Sequence, residues 1–157
     1  MNRFNQILHN QTFLDNYYII EKYELNREFC KHDLTHLLDV ARIMYIMSLE
    51  QNLKINKEII YSTALLHDIG RALEYTKNID HNIGAKEIAL SILEDCKFEK
   101  AEMDEIIYAI ISHNSEDNNQ LNQLLRVADK LSRNCFTCKK YDECKWEENR
   151  KNKGVEI

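Results

Sequence analysis

Six ionisable side chains lie in stretches whose apolar residues recur at helical spacing, where such a group is costly unless a partner binds it. They are His36, the adjacent pair His67 and Asp68, His81, His113 and Asp129. Apolar neighbours at i, i+3, i+4 and i+7 are typical of the helix face that turns toward a core. Imidazole and carboxylate together form a ligand set for first-row transition metals. The pattern therefore predicts a metal site where several helices meet.

The order of these residues resembles the signature of the HD superfamily, a group of all-helical, metal-dependent phosphohydrolases. The resemblance is carried by His36, by the doublet in Leu65-Leu66-His67-Asp68-Ile69-Gly70, and by Asp129 in Val127-Ala128-Asp129-Lys130-Leu131. It covers residues 32–133 of the chain. A lone His-Asp doublet is unspecific, but the ordered set is highly specific. The resemblance therefore implies both an all-α helical bundle and a reaction type.

The resemblance also implies a first metal held by four ligands: His36, His67, Asp68 and Asp129. Members with two further histidines between the doublet and the last aspartate build dinuclear sites. This chain has His81 and His113 in that interval. The implied cofactors are two divalent transition metals, such as iron or manganese, bridged by Asp68.

The implied reaction is hydrolysis of a nucleotide or another small phosphoester by a metal-activated water. His67 and Asp68 are the implied catalytic residues. Lys130 joins them as a candidate, because it follows the last ligand and could contact a phosphate as a point charge. Four arginines are weaker candidates for the same contact: Arg42, Arg71, Arg126 and Arg133.

Two other functions remain open from the sequence. One is a metal-bearing protein that binds a ligand, or senses zinc or redox state, without turnover. The weaker one is a non-hydrolytic di-iron oxygenase, as found among some HD relatives. Departures at Ser115-Glu116 and Ser132-Arg133 argue against assigning the diadenosine tetraphosphate substrate of one similar branch. The lack of proline excludes the HD-GYP branch.

Three cysteines, Cys135, Cys138 and Cys144, form a C-x2-C-x5-C run after the HD pattern. A C-x2-C pair has the spacing of a zinc hook, but a structural zinc site normally has four ligands. Either Cys30 or Cys96 could supply the fourth. A redox switch and plain packing of free cysteines are the competing interpretations of this run.

The composition favours helices, because the 157 residues include no proline and only three glycines. The net charge is −5, and lysine and arginine are scattered, so a general nucleic-acid binder is disfavoured. Bound cations can reverse the local field, so small phosphates remain suitable ligands. The sequence has no apolar run of about 18 residues, the length that a membrane-spanning helix needs, so no membrane span is predicted. The polar first residues lack a signal-peptide pattern, so a cytoplasmic location is expected.

Apolar periodicity predicts a bundle of about six to seven helices. The predicted helices cover residues 2–22, 33–50, 57–67, 81–93, 100–112 and 119–132, and residues 71–79 are predicted to form an irregular connection. Asp33, Asn56 and Asp80 are predicted N-caps, and Gly70 is the predicted stop of the third helix. His32 is a candidate for contacting a ligand side chain or the substrate. An HD domain is expected over residues 1–133, with a tail of residues 134–157 packed on it.

Overall fold

Eight α-helices make up the computed structural model, which describes residues 1–113, 115 and 117–155. They are α1 (Arg3–Leu8), α2 (Gln11–Glu24), α3 (Leu34–Glu50), α4 (Lys57–Leu66), α5 (Arg71–Lys77), α6 (His81–Asp95), α7 (Lys100–Ser112) and α8 (Gln120–Leu131). A 3-10 turn, Cys135–Thr137, follows them, and the described residues include no β-strand. The predicted all-α fold is confirmed. None of the described helices combines the length and apolar character needed to cross a bilayer. Glu116 lies outside the described residues.

The prediction of one helix over residues 2–22 is wrong, because Asn10 divides that segment. The Asn10 side chain accepts a hydrogen bond from the Phe13 N–H at 3.1 Å and thereby begins α2. Asparagine is a preferred N-cap, since its oxygen satisfies an amide that has no partner within the helix. The cap therefore outweighs the apolar periodicity that continues across the break.

The prediction of an irregular connection over residues 71–79 is also wrong. Arg71–Lys77 forms α5, which ends where Asn78 takes a left-handed conformation with φ of 54°. Asparagine tolerates this conformation better than most residues and is a common helix terminator. This additional helix and the divided first helix together bring the number of α-helices in the described part of the chain to eight.

Two glycines allow α5 and α6 to approach each other closely. The prediction that Gly70 stops α4 is wrong, because α4 already ends at Leu66 and Gly70 has a right-handed φ of −66°. A Cβ atom at Gly70 would lie 1.9 Å from the His81 carbonyl oxygen and 2.3 Å from the Ala85 nitrogen. A Cβ atom at Gly84 would lie 3.0 Å from the Gly70 carbonyl oxygen. This contact sets the distance between the start of α6 and the chain that follows α4.

One hydrophobic core joins the helices, with α3 packed against α4 and α8, and α6 against α7. Its largest fully buried side chains come from all parts of the helical region: Ile7, Phe13, Met44, Ile60, Leu65, Leu66, Ile69, Ile92, Leu93, Ile106, Ile110 and Leu121. Burial of this apolar surface is the main force that holds the bundle together. Arg3 adds a polar link, since it bonds Glu58 of α4 at 2.7 Å and Glu102 of α7 at 2.8 Å.

The tail after α8 returns to the helices. Arg133 donates from Nη1 to the Lys31 carbonyl at 2.7 Å, and Asn152 donates from Nδ2 to the Arg133 carbonyl at 3.0 Å. Lys140 pairs with Glu28 at 3.4 Å. The tail therefore lies beside the loop that connects α2 to α3.

Candidate metal centre

Four side chains from three parts of the fold meet in one cluster. His36 lies in the first turn of α3, His67 and Asp68 follow α4 directly, and Asp129 lies in the last turn of α8. One potential ligand atom from each lies within 4.8 Å of the others. His36 Nε2 is 3.5 Å from Asp68 Oδ2 and 3.3 Å from Asp129 Oδ1, while His67 Nε2 is 3.0 Å from Asp68 Oδ2. The structure thus brings together the four residues predicted to hold the first metal.

Hydrogen bonds at the Nδ1 atoms determine which nitrogen each imidazole presents to the cluster. His67 Nδ1 donates to the Ala64 carbonyl at 2.7 Å, so its Nε2 faces the carboxylates. His36 Nδ1 lies 3.0 Å from Ser132 Oγ, and that hydroxyl donates to the Asp129 carbonyl at 2.7 Å. The buried Nε2 of His67 has no hydrogen-bond partner. An unpartnered buried nitrogen is costly, whereas a cation would use its lone pair, so the cluster fits a metal.

Negative charge in the cluster resides on its two carboxylates. Burial opposes ionisation of Asp68, but His67 and other positive groups outweigh it and hold the pKa of Asp68 well below its usual value. Burial also opposes ionisation of Asp129, but the neighbouring His36 and His67 rings outweigh it and hold the pKa of Asp129 well below the usual value. Burial lowers the pKa of His67, but the two carboxylates raise it to about 10. The aspartates therefore stay ionised, and a cation would compete with a proton for His67.

The other two histidines lie beside the four-residue cluster. His113 follows α7 and is buried, and its Nδ1 donates to a carbonyl one turn earlier at 2.5 Å. Its ring centroid is 5.9 Å from that of His67 and 6.1 Å from that of His81. His81 begins α6, with its Nδ1 at 3.7 Å from Glu74 Oε1. Both histidines line the same cavity as Asp68, and their role as ligands of a second metal stays a prediction.

A cavity of 510 Å³ opens onto the cluster. Its wall includes five basic side chains: Arg27, Arg71, Arg133, Lys145 and Arg150. Arg71 Nε donates to Asp68 Oδ1 at 2.8 Å, and Arg133 Nη2 lies 3.4 Å from Asp129 Oδ1. Lys130 is not among the described residues that line the cavity. The geometry therefore favours Arg71 and Arg133 over Lys130 as phosphate contacts.

A buried glutamate that the sequence pattern does not reveal supports His32. Glu24 Oε1 lies 2.5 Å from His32 Nδ1 and accepts a hydrogen bond from the Tyr75 hydroxyl at 2.5 Å. Burial opposes ionisation of Glu24, but His32 and Tyr75 outweigh it and lower the pKa to about 2. His32 Nε2 is 3.8 Å from Asp68 Oδ2. Glu24 therefore orients His32 toward the cluster, in keeping with the candidate role for that histidine.

The predicted N-cap at Asp33 is also confirmed, since Asp33 accepts a hydrogen bond from the His36 N–H at 2.9 Å.

The fold and the site together define an all-helical domain with a His/Asp cluster that could hold a metal. The chain matches the HD domain family over residues 33–134, more than half of its length. It belongs to that family, and the predicted HD helical bundle is confirmed. HD domains bind divalent metals, and the family is generally hydrolytic.

Relatives of two kinds are similar to this chain. An uncharacterized protein of Clostridium beijerinckii is 44% identical over 154 residues, which cover 97% of each chain. Ribonuclease Y of Mycoplasma mycoides is 28% identical over 116 residues, or 73% of this chain and 25% of the ribonuclease. Ribonuclease Y of Desulfotalea psychrophila is 33% identical over 101 residues, or 63% of this chain and 18% of the ribonuclease. The match thus spans a quarter or less of these ribonucleases. No solved structure gives a significant match.

Proposed function

We propose that this protein is a metal-dependent phosphohydrolase that acts on a nucleotide or another small phosphoester. One observation carries the proposal: the unpartnered, buried Nε2 of His67 faces two ionised carboxylates at the base of a cavity with basic walls. Membership of the generally hydrolytic HD family supports the same reaction type.

His36, His67, Asp68 and Asp129 would hold one cation, and Asp68 would share a second with His81 and His113. Bound divalent cations would lower the pKa of a coordinated water and neutralise charge on phosphoryl oxygens. The chain's own residues prepare this chemistry. Their Nδ1 hydrogen bonds keep the His36, His67 and His113 rings in fixed orientations. The rings therefore need little reorientation to bind a cation, but Arg133 Nη2, which lies 3.0 Å from His36 Nε2, must move away from that nitrogen.

Arg71 and Arg133 would bind the phosphoryl group beside the ligands. Each guanidinium already contacts a carboxylate of the cluster, so both are held at the base of the cavity. A guanidinium presents several N–H donors in a planar fork, a geometry that suits phosphate oxygens. Once Asp68 and Asp129 bind cations, they would attract the two arginines less strongly. The N–H donors of the arginines would then be available to the substrate.

The part of the cavity wall that the tail forms favours a nucleotide over other phosphoesters. Trp146 of the tail lines the wall half-buried, and the Arg150 guanidinium lies 5.3 Å from its ring centroid. An aromatic face can stack on a nucleobase while nearby basic groups meet the phosphate. Because two of the similar proteins are named ribonuclease Y, RNA phosphodiesters should be included among the substrates tested. The net charge of −5 and the tail along the cavity wall favour a small substrate over a polymer. A cytoplasmic location stays a prediction.

The deciding experiment compares turnover and metal content in wild type, Asp68→Ala and Asp104→Ala. Asp104 is an exposed aspartate on α7 that pairs with Lys100, so its loss controls for removal of a carboxylate. The substrate panel contains nucleotides, simple phosphoesters and a short oligoribonucleotide, each with manganese or iron. Asp68→Ala should lose roughly a thousandfold or more in turnover, since several kcal/mol of charge stabilisation depend on the bound metals. Asp104→Ala should match wild type in both measurements.

Two results would refute the proposal: full turnover in Asp68→Ala, or no hydrolysis of any panel member by metal-loaded wild type. Tight nucleotide binding without turnover would instead favour the predicted alternative, a metal-bearing ligand-binding protein.

A further inference from the structure

The tail folds back on the helices with little hydrophobic support. From residue 134 onward the described part of the chain has one short 3-10 turn, and Cys135 is its only buried apolar residue. Phe136 and Val155 are exposed. Small folded units with so little apolar burial are usually stabilised by a disulfide or a metal, and this segment has the same shortage of apolar burial. All five cysteines are free, so the structure contains no disulfide to hold the tail.

Four of the five cysteines surround one region between the tail and the α2–α3 loop. Cys135 and Cys138 are joined by a turn in which the Cys138 N–H donates to the Cys135 carbonyl at 3.0 Å. Cys30 shares one cavity wall with these two cysteines and another with Cys144. Cys96 lies apart, buried at the end of α6.

We propose that Cys30, Cys135, Cys138 and Cys144 form a structural zinc site that fastens the tail to the helical domain. Four cysteine thiolates are a common tetrahedral ligand set for structural zinc, and a C-x2-C pair supplies two of them from one turn. The placement of Cys30 resolves the choice of fourth ligand that the sequence leaves open. This site is separate from the His/Asp cluster and does not depend on the proposed hydrolysis.

Zinc binding would be coupled to closing the tail. Within the described part of the chain, the His/Asp cluster is the only group whose ligand atoms already lie within 4.8 Å of one another. Zinc would therefore draw the four thiols together. Part of the free energy of zinc binding would offset the entropy lost when the tail becomes ordered. Basic groups would balance the excess negative charge of the thiolates, since Arg27 Nε donates to the Cys30 carbonyl at 2.8 Å and Arg133 shares two cavity walls with Cys30.

The zinc site would also shape the candidate active site. Cys144 lies two residues before Trp146, and both line the 510 Å³ cavity. Fixing Cys144 would hold Trp146 against the cavity, at the position proposed to meet a nucleobase. Trp146 is the single tryptophan of the chain, so its fluorescence reports on this segment without interference.

The test uses the full chain, stripped of metal under reducing conditions and titrated with Co²⁺ and then Zn²⁺. One equivalent of Co²⁺ should produce a thiolate-to-cobalt charge-transfer band that Zn²⁺ abolishes, and Zn²⁺ should change the Trp146 fluorescence. Cys30→Ser should weaken zinc binding by at least roughly 100-fold, because loss of a ligand exceeds the 10–100-fold cost of losing an outer partner. Cys96→Ser, the matched control, should behave as wild type.

Asp68→Ala separates this site from the His/Asp cluster. The thiolate band should persist in that variant, whatever the outcome of the hydrolysis assay. The proposal is overturned if wild type shows no thiolate band, or if Cys30→Ser binds zinc as tightly as Cys96→Ser. Formation of a disulfide among these cysteines in protein that binds no zinc would likewise overturn it and support a redox switch. Circular dichroism of each variant verifies that the helices are intact.

Discussion

Gly70→Ala should destabilise the protein strongly, because the added methyl group would meet backbone atoms rather than a movable side chain. The new Cβ would lie 1.9 Å from the His81 carbonyl oxygen, 2.3 Å from the Ala85 nitrogen and 2.9 Å from the Ala85 Cα. A side chain could relieve such contacts by changing rotamer, but these atoms belong to the first turns of α6. The start of α6 must therefore move away by roughly 1.5 Å to restore ordinary van der Waals contact.

The expected loss in the free energy of unfolding can be estimated from the known effect of overpacking. An extra methylene in a dense core typically costs about 1–3 kcal/mol, and backbone displacement raises this figure, so we expect a loss of about 3 kcal/mol or more. Gly70 has a φ of −66° that alanine can adopt, so the smaller conformational entropy of the unfolded alanine chain offsets at most about 1 kcal/mol. For a domain of this length, a loss of 3 kcal/mol corresponds to a fall in Tm of roughly 6–12 °C. His81 would move with α6, so binding of a second cation should weaken as well.

Urea unfolding followed by far-UV circular dichroism measures this effect in three alanine variants. Gly154→Ala is the control, because a Cβ atom there meets nothing within 4 Å. Gly84→Ala should lose less than Gly70→Ala, since its nearest contact is 3.0 Å and the gain in helix propensity of about 1 kcal/mol opposes the crowding. Equal unfolding midpoints for Gly70→Ala and Gly154→Ala would refute the reasoning, because α5 and α6 would then not touch at Gly70.

Two further predictions concern hydrogen bonds that support the site and the fold. Ser132→Ala removes the partner of His36 Nδ1 and should weaken manganese binding roughly 10–100-fold in a chelator competition, and unchanged affinity would contradict the proposed orientation of the ring. Arg3→Ala should cost about 1 kcal/mol at pH 7 in urea unfolding. Hydrogen bonds from Arg3 hold the pKa of Glu58 and Glu102 below the usual 4.5, so this contribution is present above that value and is lost as pH falls through the lowered pKa values. A cost that stays equal at pH 3 and pH 7 would show that the charges are not responsible.

Much of the site could be predicted because its residues carry local signals. The stretch around His67 and Asp68 and the segment around Asp129 are recognisable within a few residues, and Asp33 caps the helix of His36 as expected from its side chain. The all-α class likewise follows from the lack of proline and from the apolar periodicity. These features depend on short-range chemistry, which a sequence displays directly.

The remainder depends on how helices cross, which the sequence does not display. Glu24 lies 51 residues from Tyr75 and is buried only because α2 packs against α5. Arg133 follows α8 by two residues and lies beside Asp129 of the cluster, and Cys30 lies beside the tail because the chain returns over a long sequence distance. The division at Asn10 and the helical state of residues 71–77 are missed for a different reason, since short helices give weak periodicity.

The positions of the four clustered ligands have a consequence for the lifetime of the folded protein. His36, near the start of the domain, and Asp129, near its end, come together only when α3 and α8 have packed. Contacts between such distant segments close large loops and form late in folding. A cation bound there would recognise the finished fold, so it would slow unfolding while leaving the folding rate almost unchanged. Metal supply would then govern how long each molecule survives once folded, and would have little influence on how fast it folds.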